Sequence, residues 1–270
     1  MFKAKFQRFS FLDKYVFVIF LLFSIQIRTG IKIKGIFVTS IFDSKEFNQN
    51  LFFPRLDGST GSGLADEIFV EVEPKCRVHV RRHPSLNAKF SLLFFHGNGE
   101  IVSDYDGLAK YFNPLGCELV VCDFRGYGKS EGTPSLRNAL KDASTIYNYL
   151  KNNGKLKSHV CVMGRSLGSA PAIELCVRFS GISCCVLESG YADPLPLVER
   201  RGLRIDKITP EENNLFNNSE KIRLLTCPIL IMHGEDDFLI IPEEAKLNHQ
   251  NAGSKYKILR ILKGVGHNDM

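Results

Sequence analysis

The run Gly164-Arg165-Ser166-Leu167-Gly168 sets a serine between two glycines, each two residues away. A serine hydroxyl is a poor nucleophile until a histidine takes its proton and an acid orients that histidine. It also has to stand clear of its own backbone. A sharp turn from strand to helix does this, and flanking glycines let the two elements approach. Ser166 is therefore the candidate nucleophile. The apolar run 160–163 before it reads as a strand and 167–179 after it as a helix. Ala170 and Ala172 keep that helix slim, and Pro171 falls in its first turn, where a missing N–H costs little. An ordinary serine in a plain strand–helix turn would look the same, so the reading stands on its partners.

Open α/β sheets place their chemistry on loops at the C-terminal ends of strands, with the acid preceding the histidine in the chain. The run 228–232 is followed by His233-Gly234-Glu235-Asp236-Asp237. This places carboxylates at a strand end, with Asp236 and Asp237 both open as the acid. The run 257–262 is followed by Gly264-Val265-Gly266-His267-Asn268, which puts His267 on a glycine-bracketed loop as the candidate base. An oxyanion needs backbone donors. The N–H of Leu167 is one candidate. The N–H of Asn98, in Phe95-His96-Gly97-Asn98-Gly99, is the other. That turn holds no G-x-G-x-x-G and no phosphate-binding lysine, so no nucleotide cofactor is expected. His79 and His159 read as strand positions, His249 as a helix position, His83 as a turn residue, and His96 and His233 as structural residues at strand ends.

The elements that must carry these residues are legible as alternating patterns. Residues 68–73 and 77–81 alternate apolar and polar, as in a half-exposed antiparallel pair. Unbroken apolar runs at 90–95, 118–122, 159–163, 184–187, 228–232 and 257–262 read as buried parallel strands. Helices are expected over 101–112, 135–150, 167–179 and from about 242, which makes an α/β fold with helices on both faces of the sheet. About 35 polar residues between Leu187 and Cys227 form an insertion. A loop that long is usually functional, and 190–225 is expected to be a lid.

Composition narrows the function further. The chain has 270 residues, 44% apolar and 24% charged, enough to bury one large core. Its net charge is +6, but residues 1–50 carry +5 of it, and 51–270 hold 27 basic against 26 acidic residues. The body is thus near neutral, which argues against nucleic acid as a partner. The eight cysteines sit largely in apolar runs without a C-x-x-C spacing, so reduced packing thiols and no metal site are expected.

Residues 1–65 read as an N-terminal extension, with a flexible linker at 57–63. Lys3, Lys5, Arg8 and Lys14 precede an uncharged 13-residue run, 15–27, with Arg28 after it. As a helix this run is roughly 20 Å long, short of the roughly 30 Å hydrocarbon core. It matches a signal-peptide core in length, but no small-x-small cleavage site follows. A cytosol-facing membrane anchor with basic flanks, on a cytoplasmic or membrane-associated enzyme, is the expectation; a non-functional extension is the bland alternative.

Five segments together resemble the α/β-hydrolase superfamily: 93–99, Asp123-Phe124-Arg125-Gly126-Tyr127-Gly128-Lys129-Ser130, 164–168, 231–237 and Gly266-His267-Asn268-Asp269. Within it the chain is similar to small serine hydrolases of the serine-aminopeptidase and depalmitoylase-like group, over residues 66–270. The resemblance implies Ser166 as nucleophile, His267 as base and Asp237 as acid, with Asp236 kept as the alternative. It also implies Asp123, Arg125 and Gly126 as braces of their loop. It implies a final helix on the sheet, and with Met270 three residues after His267 the sequence reads as stopping short of it. The expected reaction is cofactor-free hydrolysis of an ester or thioester, or of an amide, in a small-molecule or acylated substrate. A serine peptidase and a non-catalytic binding protein on the same scaffold are the alternatives.

Overall fold

The computed structural model describes residues 40–59, 63, 65–205 and 207–270. Its strands are β1 (Asp66–Glu73), β2 (Cys76–His83), β3 (Phe90–Phe95), β4 (Cys117–Cys122), β5 (His159–Arg165), β6 (Cys184–Glu188), β7 (Ile229–Gly234) and β8 (Lys257–Leu262). The helices are α1 (Lys45–Leu51), α2 (Ala109–Phe112), α3 (Leu136–Asn152), α4 (Ser169–Arg178), α5 (Leu195–Glu199), α6 (Pro210–Phe216), α7 (Asn218–Lys221) and α8 (Pro242–Asn251). The strands form one eight-stranded sheet in the order β1-β2-β4-β3-β5-β6-β7-β8. β1 and β2 form an antiparallel hairpin, and β2 runs antiparallel to β4. From β4 to β8 every neighbouring pair is parallel.

Parallel strands can read as unbroken apolar runs because both faces are covered. Val70, Leu93, Val120, Val162 and Leu187 pack on one face with Ile146 and Tyr147 of α3 and Ile173 of α4. Leu92, Phe94, Leu119 and Val121 pack on the other with Val102 and Tyr105. Helix α3 is capped by Ser135, whose side chain accepts from the Asn138 N–H. The chain leaves β3 toward β4 and then crosses back to β5 on the other side of β3. The crevice of such a sheet opens at this reversal, beyond the strand ends.

The structure departs from the sequence expectations in several places. The helix expected over 101–112 is a 3-10 turn, Val102–Tyr105, followed by the four-residue α2. Gly107 lies between them, where a helix interior would be weakened. Asp104 satisfies the Ile101 N–H instead. The helix expected from 167 begins as a 3-10 turn, Ser166–Gly168, before α4. His83, expected in a turn, ends β2.

The polar face of β2 is not half-exposed. His79, Arg81 and His83 are buried. Arg81 pairs with Glu67 at 2.5 Å and Asp106 at 2.8 Å, and lies 3.8 Å from Asp57. His79 meets Glu67 at 2.5 Å and Asp123 at 3.4 Å. Alternation locates a strand's two faces; complementary charges decided that the polar one could be covered.

Residues 40–59, expected to belong to a 65-residue extension, pack into the body. Phe42, Phe47, Leu51 and Phe52 share an apolar cluster with Phe124, Tyr127, Leu136, Leu167 and Ile240. Phe42 stacks on Phe216, with ring centroids 4.1 Å apart. Beyond α1, Gly128 donates to the Arg55 carbonyl and Asp57 donates to that of Gly128, tying this segment to the β4 loop. The run 15–27 lies outside the described residues, and among the described residues no helix is long and apolar enough to cross a membrane. All eight cysteines are free thiols.

Phe47, assigned from the sequence to the N-terminal extension, is fully buried. Phe47→Ala should therefore cost about 3–5 kcal/mol of unfolding free energy, as for other buried aromatics. Denaturant titration measures this, and a loss under about 1 kcal/mol, as at a surface site, would refute the packing role of α1.

Candidate active site

Ser166 leaves β5 with φ +50°, in the left-handed region that a side chain rarely occupies. This aims its Oγ out of the turn while the backbone doubles back into α4. Two close approaches make the turn feasible. Gly164 lies against the Gly168 carbonyl and the Ala172 side chain, and Gly168 lies against the Phe95 carbonyl. A Cβ at either position would overlap backbone. Ser169 Oγ donates to the Ser166 carbonyl at 2.7 Å and ties the turn to the first residue of α4.

Ser166 Oγ lies 3.0 Å from His267 Nε2, and His267 Nδ1 lies 2.7 Å from Asp237 Oδ2. Asp236, the alternative acid, is exposed, and its N–H donates to the Val265 carbonyl. The register of the β7 loop explains the difference. Asp237 folds back so that its Oδ1 accepts the N–H groups of Leu239 and Ile240 at 3.0 and 2.9 Å, which turns Oδ2 toward His267. His233 Nε2 lies 3.2 Å from that same oxygen and 2.7 Å from the Ile240 carbonyl. Gly234 lets the β7 loop pass the 264–267 loop, since a Cβ there would overlap the Val265 carbonyl.

Burial pushes the Asp237 carboxyl upward. The hydrogen bonds from His233 and His267, and then the Ile240 N–H, outweigh that burial and hold it well below the usual carboxylate range. Asp237 is thus an anion at neutral pH, as an orienting acid must be.

The loops bearing Asn98 and Leu167 follow adjacent strands, β3 and β5, and touch where Gly168 meets Phe95. The Asn98 side chain is locked in place. Its Oδ1 accepts from Tyr127 Oη at 2.6 Å and from the Phe53 N–H at 2.8 Å, and its Nδ2 donates to the Leu51 carbonyl at 2.7 Å. Asp123 accepts from His96 Nε2 and from the Val102 N–H, both at 3.0 Å, which fixes the start and end of the same loop. Arg125 is paired with Asp142 at 2.6 and 2.8 Å.

The insertion after β6 contains α5, α6 and α7. Asn218 of α7 donates to the Tyr191 carbonyl at 3.0 Å and to Ser169 Oγ at 3.3 Å, which anchors the insertion beside the serine turn.

Sequence reasoning missed Arg165. Its guanidinium pairs with Glu100 and with Glu188, the latter at 3.1 Å, and donates from Nη2 to the His267 carbonyl and to Asn268 Oδ1, both at 2.8 Å. The signal was present: Arg165 and Glu188 close the apolar runs of β5 and β6, where a lone charge would be costly, and Glu100 lies on the loop after β3.

Residues 87–205 match the family model for serine aminopeptidase, S33. The alpha/beta hydrolase domain-containing protein 17B of Xenopus tropicalis is 31% identical over 194 residues, covering 69% of this chain and 63% of that protein. Its human namesake is 30% identical, with the same coverage of each. The chain belongs to the α/β-hydrolase superfamily. It spans a little under two thirds of the length of these curated relatives. Among solved structures, an esterase from Pyrococcus furiosus superposes with a TM-score of 0.66 at 18% identity, covering 81% of this chain and 91% of that one. A monoacylglycerol lipase from Paleococcus ferrophilus gives 0.55 at 18%, covering 71% and 90%. These agree with the α/β-hydrolase architecture of the sheet. The family match ends at residue 205, and Asp237 and His267 lie beyond it.

The state of Asp237 has a thermodynamic consequence. A carboxyl depressed in the folded chain contributes stability above its ordinary value of about 3.9 and loses it as pH falls below that. The stability advantage of the chain over Asp237→Asn, measured by urea unfolding across pH, should be full near neutrality and shrink as pH drops below about 4. A gap independent of pH would mean that Asp237 is not held as an anion.

Proposed function

We propose that this chain is a serine hydrolase that cleaves an ester or thioester bond of an acylated substrate through an acyl-enzyme on Ser166. One observation carries the reading. The hydrogen-bonded series from Ser166 to His267 to Asp237 starts at a serine with φ +50° at the end of a parallel strand. A serine, a histidine and an anion in that order, each within hydrogen-bond reach, are the parts that nucleophilic acyl transfer needs.

In this mechanism Ser166 Oγ attacks the acyl carbon while His267 Nε2 takes the hydroxyl proton. Asp237 holds Nδ1–H, keeps the ring in the required tautomer and stabilises the imidazolium. The backbone N–H groups of Leu167 and Asn98 face the developing oxyanion. The tetrahedral intermediate collapses, the bond to the leaving oxygen or sulfur breaks, and His267 returns the proton to it. Water then adds to the acyl-enzyme with His267 again as base, releasing the acid and restoring Ser166. Every atom is accounted for by these residues, the substrate and water.

Two features favour an apolar acyl group. The loop beyond Asp237 exposes Phe238, Leu239 and Ile241, and the body of the chain carries almost no net charge. Anchoring through residues 1–30 would bring the enzyme to membrane-held acylated substrates; fractionating cells with and without those residues tests it.

A fluorophosphonate probe should label the chain, and Ser166→Ala should abolish both labelling and hydrolysis of p-nitrophenyl butyrate. Loss of a triad serine typically costs on the order of 10⁶ in kcat. Labelling of the folded Ser166→Ala variant equal to that of the parent would sink the reading.

A further inference from the structure

We infer that Arg165 is a positioning residue for the reaction, holding the backbone of His267 so that its imidazole stays between Ser166 and Asp237; this rests on the hydrolase reading above. Asp237 fixes the ring through Nδ1, but one hydrogen bond leaves the ring free to swing about that contact. The loop carrying His267 has glycines at 264 and 266, so its own backbone is permissive. The hydrogen bond from Arg165 Nη2 to the His267 carbonyl supplies the second fixed point. A second bond, to Asn268 Oδ1, extends the hold to the next residue.

Arg165 can serve as a fixed point because it is itself held. Its Nη1 pairs with Glu100 and its Nε with Glu188, while the side chain is only 12% exposed. Glu100 is fixed in turn: it accepts from the Gly97 N–H at 2.7 Å and from the Tyr105 hydroxyl. The absence of a Cβ at Gly97 leaves room for the guanidinium, which a side chain there would strike. One planar fork thus links the loop after β3, the serine turn, the end of β6 and the histidine loop. Arg165 adjoins Ser166 in sequence, so the histidine is referenced to the same turn that carries the nucleophile. A lysine cannot reproduce this, since its one nitrogen cannot span four separated acceptors.

The experiment compares Arg165→Lys and Arg165→Ala with the parent on p-nitrophenyl butyrate, with Ser166→Ala as reference and unfolding midpoints recorded for each. Lysine keeps the charge that Glu100 and Glu188 require, so Arg165→Lys should fold. Its kcat should fall by about 10- to 100-fold, the scale of a misplaced catalytic group, with KM within about threefold. Arg165→Ala should lose at least as much, and guanidinium chloride at tens of millimolar should restore part of its kcat saturably where sodium chloride does not. Should Arg165→Ala fail to fold, the kcat-against-KM split of Arg165→Lys decides alone. A folded Arg165→Lys with parental kcat overturns the inference, as does a folded Arg165→Ala that guanidinium leaves unchanged. Parental turnover by Ser166→Ala would instead overturn the hydrolase reading and this inference with it.

Discussion

Ser166 holds a left-handed backbone between a parallel strand and a helix, and the rest of the site is built around keeping it there. For a residue with a Cβ this conformation costs roughly 1–3 kcal/mol and persists only where the surroundings over-determine it. Here they do so from three directions. Gly164 and Gly168 admit backbone contacts that no other residue type would permit. β5 lies in the middle of the sheet, hydrogen-bonded to β3 and β6. The Ser169 hydroxyl closes the turn from the helix side. Strain at Ser166 is thus carried at the end of a central strand rather than by a free loop, which suits a group that the proposed reaction needs held in place.

Around this point the fold concentrates charge in places that water scarcely reaches. Asp237, Asp123 and Arg81 are buried, and Arg165 nearly so. A buried ion is tolerated when its partners are placed in advance, and each of these has several. Burial pushes the Asp123 carboxyl up, yet the nearby His79 ring, 3.4 Å away, and the hydrogen bonds from His96 and the Val102 N–H bring it below its ordinary range. The same carboxylate therefore spans the end of β4, the β3 loop and the charged face of β2. Such networks add little net stability compared with apolar packing, but they fix geometry, because any displacement leaves an ion unpaired.

How much of this could be read in advance follows from which interactions are local. Five of the strands read directly as apolar runs, because a parallel strand covered on both faces admits little else; the sixth, β8, expected to be buried like them, is instead an edge strand with no buried residue and Ile258 48% exposed. Ser166, Asp237 and His267 were legible because each follows such a run, at the strand end where the fold collects polar groups. The choice between Asp236 and Asp237 was not legible in spacing alone, although the family resemblance favoured Asp237. It depends on a fold-back of Asp237 onto the N–H groups of Leu239 and Ile240, a conformational detail that spacing does not encode. The roles of Arg165 and of residues 40–59 were hidden for a different reason. Glu100, Glu188 and His267 reach Arg165 across 65, 23 and 102 positions, and Leu51 reaches Asn98 across 47. Local pattern carries no record of contacts that long. The burial of α1 is likewise a tertiary outcome for a seven-residue helix, too short to stand on propensity alone.

The stretch matching the family model, 87–205, holds Ser166, Leu167 and Asn98 but not all the residues of the proposed site. Asn98 takes its orientation from Leu51 and Phe53, which precede the stretch, and His267 and Asp237 follow it. Two separate additions must therefore dock before the geometry closes, one from each side of the sequence. They dock by different physics. Residues 40–59 attach chiefly through buried phenylalanines, a non-directional hold that fixes position loosely until Asn98 and Tyr127 supply hydrogen bonds. The β8 segment attaches through parallel backbone pairing with β7, which sets register residue by residue and delivers His267 at a defined height above the sheet. What strand register cannot set is the lateral position of a loop five residues beyond the strand. The hydrogen bond from Arg165 to the His267 carbonyl acts on that remaining freedom, and it comes from a charged side chain beside Ser166 in a turn otherwise made of small and apolar residues.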